Sequence, residues 1–334
     1  MIQVLLGAVT LGLLLYFADL GRVLGLIYQA DPLYVVMAAV TFVIASVMVG
    51  YSLFVLLERM GYVPPASKTI MVSIAGQLVS DLTPARTGYF ITPVLLGGEL
   101  GVNFEDGMAA IVFTGAVQAL ASVLLGAIAI FYFSRFVGTG LQLVILLGLG
   151  LVPVALMGLT LLSLIHHGWL TGLIDYIGDF PFIRPRVEQV RAAIAAFQRS
   201  GRRATGAALQ VAFFLVVAQV LNSLALYMLS LSVGVTQLSV FDFIMTYAIA
   251  GFSMYAFVTI AGLGVQESMY ALLLGLMNVA LDKATAVAIL ARFFFTITDL
   301  IGVPLLTRVG VKSIPGLLTG APSASTQVQS DKGS

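Results

Sequence analysis

The residues able to do chemistry in this sequence are the few ionisable side chains set inside apolar stretches. Asp81 and Arg86 lie in Asp81-Leu82-Thr83-Pro84-Ala85-Arg86-Thr87-Gly88, and Glu267 closes Ala261-Gly262-Leu263-Gly264-Val265-Gln266-Glu267. Arg292 and Asp299 sit in the apolar run that follows. A charge within hydrocarbon costs at least about 2.5 to 3.5 kcal/mol on insertion scales, so such residues face a cavity, a partner or a substrate. Non-helical backbone at that depth needs cover from protein or a water-filled cavity.

Arg86 offers a planar, permanently charged fork suited to a phosphate, and Pro84 with Gly88 lets the backbone come close. An ion pair with Asp81 or an anchor at headgroup level is the competing reading. Glu267 falls one turn into the helix that starts after the Gly262 and Gly264 bend, where the helix dipole alone favours a carboxylate. Arg292 and Asp299 are seven residues apart, nearly two turns, and share a helix face. Gln118, in an earlier apolar run, is a further candidate for the same site, with helix-to-helix glue as its alternative.

Other chemistries find no support. The chain has no Cys, which removes disulfides, thiolate metal sites and thiol nucleophiles. His166 and His167 are adjacent, so they do not face one site on a helix, and beside Trp169 they read as interfacial anchors. Glu99, Glu105 and Asp106 are expected at a membrane boundary, where solvation is cheap. No nucleophile and base pair, phosphate-cradling loop or metal-ligand cluster emerges, and Gly262-Leu263-Gly264 lacks the strand and helix context of a dinucleotide site. The expectation is a protein that is no enzyme and uses no cofactor and no metal. A net charge of +1 gives no reason to invoke nucleic acid.

The elements that must position these side chains are membrane helices. Of 334 residues, 60% are hydrophobic and 9% charged, whereas soluble chains carry about a quarter charged residues. Apolar runs near Val4 to Phe17, Leu33 to Leu57, Gly107 to Phe133, Leu141 to Ile165, Ala204 to Leu231, Phe243 to Ile260 and Ala284 to Thr307 are mostly long enough for a core that needs about 20 helical residues. No alternating strand pattern of a barrel appears. The first run has no basic region ahead of it and no small-residue cleavage site, so it is read as a span.

The polar stretch from His166 to Arg203 holds six arginines after residue 183 against a single Glu188, which places it in the cytoplasm. Val187, Val190, Ile194 and Phe197 recur at helical spacing opposite Arg191 and Gln198, as in an amphipathic helix on the membrane surface. Walking outwards from that loop makes Thr69 to Leu100 enter and leave by the inner side, and Asp242 to Leu281 by the outer side. The arms Thr69 to Leu82 and Gly88 to Leu100 are too short to span, which predicts re-entrant hairpins.

The expected fold is all-α: a polytopic transmembrane bundle in one domain, residues 1–315, with two inverted repeats, each containing a re-entrant hairpin. Repeat one covers about 33–133, repeat two about 204–307, and an amphipathic linker about 183–203. From Gly316 the composition turns to Ser, Gly, Thr, Pro and Gln, and 316–334 reads as a disordered tail.

These passages resemble the lysylphosphatidylglycerol synthase transmembrane family, also described as flippase-like. Asp31-Pro32-Leu33 opens the second span. Pro84-Ala85-Arg86-Thr87-Gly88 resembles that family's Pro-Gly-Arg-Leu-Gly turn, Gly262-Leu263-Gly264-Val265-Gln266-Glu267 its Gly-Leu-Gly-Val-Arg-Glu turn, and Arg292 follows in the last long helix. The resemblance runs from about Leu20 to Leu306 and implies a lipid-translocating or lipid-binding membrane domain. No aminoacyl transferase domain lies within these residues, so it implies no lysyl transfer. Thr114, Gly115 and Gln118 stand where the family often has charged residues, and Gln266 where it often has Arg, which points to a different headgroup.

The function expected is movement of a polar or anionic lipid headgroup between leaflets of the cytoplasmic membrane, through a midplane cavity built from Arg86, Asp81, Gly88, Glu267, Arg292, Asp299 and Gln118, with Pro84, Gly262 and Gly264 at the turns. The lipid would be a phospholipid, an aminoacyl-phospholipid or a polyprenyl-phosphate carrier. Its partners are that lipid and either a second copy of the chain or an envelope-biosynthesis protein. The rival readings are a secondary transporter of a small polar solute or ion, and a lipid-binding scaffold that transports nothing.

Overall fold

The computed structural model describes residues 2–83, 87–136, 141–166, 184–251 and 262–307, and among them every regular element is helical. In chain order these are α1 (Ile2–Phe17), α2 (Leu20–Tyr28), α3 (Pro32–Arg59), α4 (Ala66–Asp81), α5 (Thr92–Leu100), α6 (Phe104–Ser134), α7 (Leu141–His166), α8 (Arg184–Ala204), α9 (Ala208–Ser232), α10 (Val240–Ala250), α11 (Val265–Leu276) and α12 (Leu281–Leu300). Short 3-10 turns, Thr87–Ile91 and Thr205–Ala207, lead into α5 and α9.

The long apolar runs become long helices because their ends carry the right caps. Asp31 accepts the Leu33 amide at 2.9 Å while Pro32 takes the first helical position of α3, where a missing N–H costs nothing. Ser239 and Asp242 close a reciprocal capping box at the start of α10, satisfying two otherwise orphaned amides. α3, α6 and the stretch Ala192–Ser232, in which α8 leads into α9, are long and apolar enough to cross a membrane.

The first run differs from its expected single span. α1 has 16 residues, and α2 turns away from it by 85°. The cause is Asp19, which adopts φ 60 and accepts the amides of Gly21 and Arg22, restarting the helix in a new direction. The last run also departs from expectation, since α12 starts at Leu281 and stops at Leu300. Beyond it Gly302 lies against α4 so closely that an added Cβ would sit 2.6 Å from the Ala75 Cα.

The predicted amphipathic segment is a helix, but α8 lies against α6 and α7. Gln198, which the periodicity puts on its outer face, is 6% exposed and donates to the Leu164 carbonyl at 3.3 Å. The end of α7 covers that face.

α4 and α5 form one pair of short arms, and α10 and α11 a second, with 16, 9, 11 and 12 residues. At 1.5 Å per residue they reach about 14 to 24 Å, less than the roughly 30 Å hydrocarbon core. The packing pattern repeats. α3 lies along α9; α4 packs on α3 as α10 does on α9; α5 packs on α6 as α11 does on α12; α4 also touches α12, and α10 touches α6.

Two large apolar clusters, with a small third between α6 and α7, hold the bundle. One joins Phe42, Phe133, Leu226, Phe243 and Tyr270; the other joins Leu53, Leu56, Leu95, Phe113 and Ile165. α12 enters the first cluster mainly through alanines, Ala284, Ala286, Ala288 and Ala291, the small residues that let membrane helices approach closely. Phe131 and Leu209 point outward.

The two ends of α6 carry matching polar fastenings. At its start Asp106 accepts hydrogen bonds from the Tyr62 hydroxyl and from Ser200 of α8. At its finish the Tyr132 hydroxyl donates to Asp242 of α10, and the Arg135 guanidinium lies 3.8 Å from the centre of the Tyr132 ring.

Candidate functional site

The first break in the apolar pattern ends α4. Leu82 and Thr83 continue its last turn by donating to Leu78 and Ser80 carbonyls, each at 3.2 Å. The Gly88 amide donates to the Thr83 hydroxyl at 2.6 Å. A Cβ at Gly88 would stand 2.3 Å from the Val79 carbonyl oxygen, so the close approach at this glycine is to the chain itself, not to a ligand. Pro84 and Arg86 lie outside the described residues.

The second break starts α11. Gly262 and Gly264 have φ 72 and 76, a region that L side chains enter only with strain. Amides of Gln266 and Ser268 donate to their carbonyls at 2.9 and 3.0 Å. Gly264 is also pressed against α1, where an added Cβ would meet the Gly7 carbonyl oxygen at 2.6 Å. The amino-terminal helix thus braces the second turn, a role its bland apolar sequence gave no reason to expect.

Glu267, in the first turn of α11, is 2% exposed and its Oε1 accepts a hydrogen bond from the Arg292 Nε. Its other oxygen is buried with no hydrogen-bond partner among the described residues. Arg292 comes from α12, with 20% of its side chain exposed. One turn on, the Thr296 hydroxyl donates to the Arg292 carbonyl at 3.0 Å, and Asp299, 6% exposed, follows on the same face.

Arg292, Thr296 and Asp299 line a cavity of about 190 Å³ together with Leu78, Asp81 and Leu82 of α4 and Leu263 of the second turn. The cavity therefore draws on both halves of the chain. Four of its residues are polar or charged. It is smaller than the roughly 300 Å³ at which whole-ligand pockets begin. A larger hollow of about 380 Å³ runs between α1 and α11, lined by Leu14, Ser268, Ala271, Leu272, Gly275, Leu276 and Leu281. It contains no charged residue.

Of the remaining candidates, Gln118 is half-buried on α6 and lines neither hollow. Thr114 is satisfied by its own helix through the Ala110 carbonyl at 2.8 Å, and Gly115 faces Leu161 of α7. Gly115 thus sits at the packing surface between α6 and α7. Asp106 is engaged with Tyr62 and Ser200, as described; burial first, then this hydrogen bond, pushes the Tyr62 phenol above its ordinary value. His167 and Trp169 lie outside the described residues. Among the described residues no group of three His, Asp or Glu side chains is placed to hold a metal ion.

Sequence reasoning missed the polar groups behind Glu267. The Gln266 amide donates to the Tyr270 hydroxyl at 3.3 Å, and Tyr270 is buried within electrostatic reach of Tyr247, Arg292 and Glu267. Asn222 of α9 donates to the Tyr247 hydroxyl at 3.1 Å, and one turn earlier Gln219 donates to Ser122 of α6 at 2.9 Å. The available signal was the recurrence of amides and phenols at helical spacing inside α9 and α11.

A family described as Lysylphosphatidylglycerol synthase TM region matches residues 1–302. No curated protein matches the chain.

Proposed function

The chain belongs to the lysylphosphatidylglycerol synthase transmembrane family, a membrane domain involved in lipid handling, and from that premise we propose that it moves the headgroup of a polar or anionic lipid between the leaflets of the cytoplasmic membrane. The observation that carries the reading is the shared cavity, to which α4 brings Asp81 and α12 brings Arg292 and Asp299. A guanidinium suits a lipid phosphate. The carboxylates balance charge and take up any ammonium or hydroxyl the headgroup carries. The apolar groove beside α11 would suit a hydrocarbon chain.

In this reading the bundle consists of two inverted repeats, α3 to α6 and α9 to α12, whose short-armed pairs are re-entrant hairpins. The reciprocal contacts of α4 with α12 and α10 with α6 support such a two-fold relation, as do four arms too short to span. Rocking of one repeat against the other would change which leaflet the cavity serves. Arg59, Arg199, Arg202 and Arg203 gather at the α6 end that holds Asp106, and the positive-inside bias supports a cytoplasmic position for that end. Arg86, expected from sequence beside Asp81, would add a second phosphate contact.

A secondary transporter of a small polar solute is the second reading, favoured by the modest cavity volume. Liposomes decide between them. Reconstituted protein should accelerate exchange of a labelled phospholipid between leaflets, and Arg292→Ala should abolish the acceleration and reduce co-purifying lipid by mass spectrometry. Solute uptake without leaflet exchange overturns the lipid reading, and neither activity supports a scaffold.

A further inference from the structure

We propose that Glu267 takes up a proton when Arg292 engages the lipid headgroup, so that headgroup movement is proton-linked, with Tyr270, Tyr247 and Asn222 forming the polar file behind the carboxyl. This deepens the transport reading and rests on it.

Arg292 stands between two claims on its charge. In front it lines the cavity; behind it is bonded to Glu267, which lines none of that cavity. A headgroup phosphate that draws the guanidinium forward leaves a carboxylate 2% exposed, and an isolated buried carboxylate is far too costly to remain charged. Its Oε2, already without a hydrogen-bond partner among the described residues, is where a proton adds. The exchange balances: the Nε–H···Oε1 bond is given up, an O–H bond forms on Glu267, and a phosphate oxygen accepts from Arg292. The site keeps its net charge. When the headgroup leaves, Arg292 returns, the proton departs, and nothing is oxidised or reduced.

The groups around Glu267 fit this traffic. Tyr270 on its own helix and Tyr247 from α10 carry hydroxyls that both donate and accept, and they are held by Gln266 and Asn222. From α12 come Arg292 and Asp299, and across the cavity stands Asp81 of α4. α1, which packs on α11, has Tyr16 as its sole titratable side chain, exposed at its far end. Tyr270 lies within electrostatic reach of both Glu267 and Tyr247, and an intramembrane ionisable residue such as Glu267 is the kind of group that marks a proton path in membrane transporters.

The test uses the full chain in phosphatidylcholine vesicles holding a fluorescent phosphatidylglycerol and a trapped pH dye, with membrane potential clamped. An imposed proton gradient should speed exchange by about tenfold, within the usual range of coupling between two bound species, and the dye should report proton movement with lipid. Glu267→Gln should exchange lipid at a rate indifferent to the gradient. Tyr270→Phe should slow gradient-driven exchange while leaving lipid retention unchanged. Should Glu267→Gln fail to fold, Glu267→Asp should keep gradient dependence with a displaced pH profile. Wild-type exchange that ignores the gradient and moves no protons overturns the inference and leaves the transport reading standing. No exchange under any condition defeats both.

Discussion

Glu267 and Arg292, 25 residues apart on successive helices, form a hydrogen-bonded ion pair in which the carboxylate is almost completely buried and the guanidinium reaches the cavity. The Glu267 end of the pair is sealed inside the protein, and the Arg292 end borders the cavity. That division leads to the first expectation.

Removing one partner strands the other charge, so Glu267→Ala or Arg292→Ala alone should lower stability by about 3 to 5 kcal/mol. The double variant should lose much less than the sum, because no buried charge is left behind. A double-mutant cycle by thermal unfolding in detergent measures the coupling. Additive losses would show that the pair does not interact in the folded protein.

Gly264→Ala should destabilise by at least about 1 to 3 kcal/mol through backbone strain, with a further loss from contact with the Gly7 carbonyl. The loss should be smaller in Gly12→Ala, since Gly12 has nothing near its Cβ position. Melting temperatures of the two variants compare a required glycine with a tolerant one.

At the Asp106 end, Tyr62→Phe should cost about 1.5 to 3 kcal/mol, the usual worth of a hydrogen bond to a charged group, at neutral pH. The folded chain holds the Tyr62 phenol above its ordinary value, so the contribution is complete below the unfolded pKa of about 10. It then declines as pH rises through the folded value. The stability gap between wild type and Tyr62→Phe should therefore narrow in strong alkali. A gap that widened there would contradict the assignment.

Asp299→Asn and Asp81→Asn should each slow lipid exchange by about tenfold, equivalent to about 1.4 kcal/mol, with little change in melting temperature. Gln118→Leu should leave exchange unaltered, because that side chain lines neither hollow. Exchange rates for the three variants, normalised to folded protein, check both statements.

The long helices were legible because length and caps signal together: Leu33 to Leu57 was expected and Pro32–Arg59 is found, its start marked by Asp31 and Pro32. The α1–α2 bend was not, since Asp19 reads equally well as the end of a span and as a cap between two helices. Charged residues inside apolar runs announce themselves, and Asp81, Arg292 and Asp299 meet at one cavity. Neutral polar residues do not: Gln118 was selected and lies elsewhere, while Tyr247, Tyr270 and Asn222 passed unnoticed. An amide or phenol is cheap enough in a membrane helix that its type alone does not reveal whether it packs, bonds or conducts. The brace of α1 on Gly264 depends on a tertiary contact at Gly7, which no local pattern encodes.

The most direct measurement is leaflet exchange by the Glu267→Ala, Arg292→Ala double variant, which removes the ion pair without stranding a charge. With its melting temperature near that of wild type, exchange should fall to the rate of protein-free liposomes and co-purifying lipid should be lost. Exchange and lipid retention at wild-type levels in that folded variant would contradict a headgroup site at Arg292.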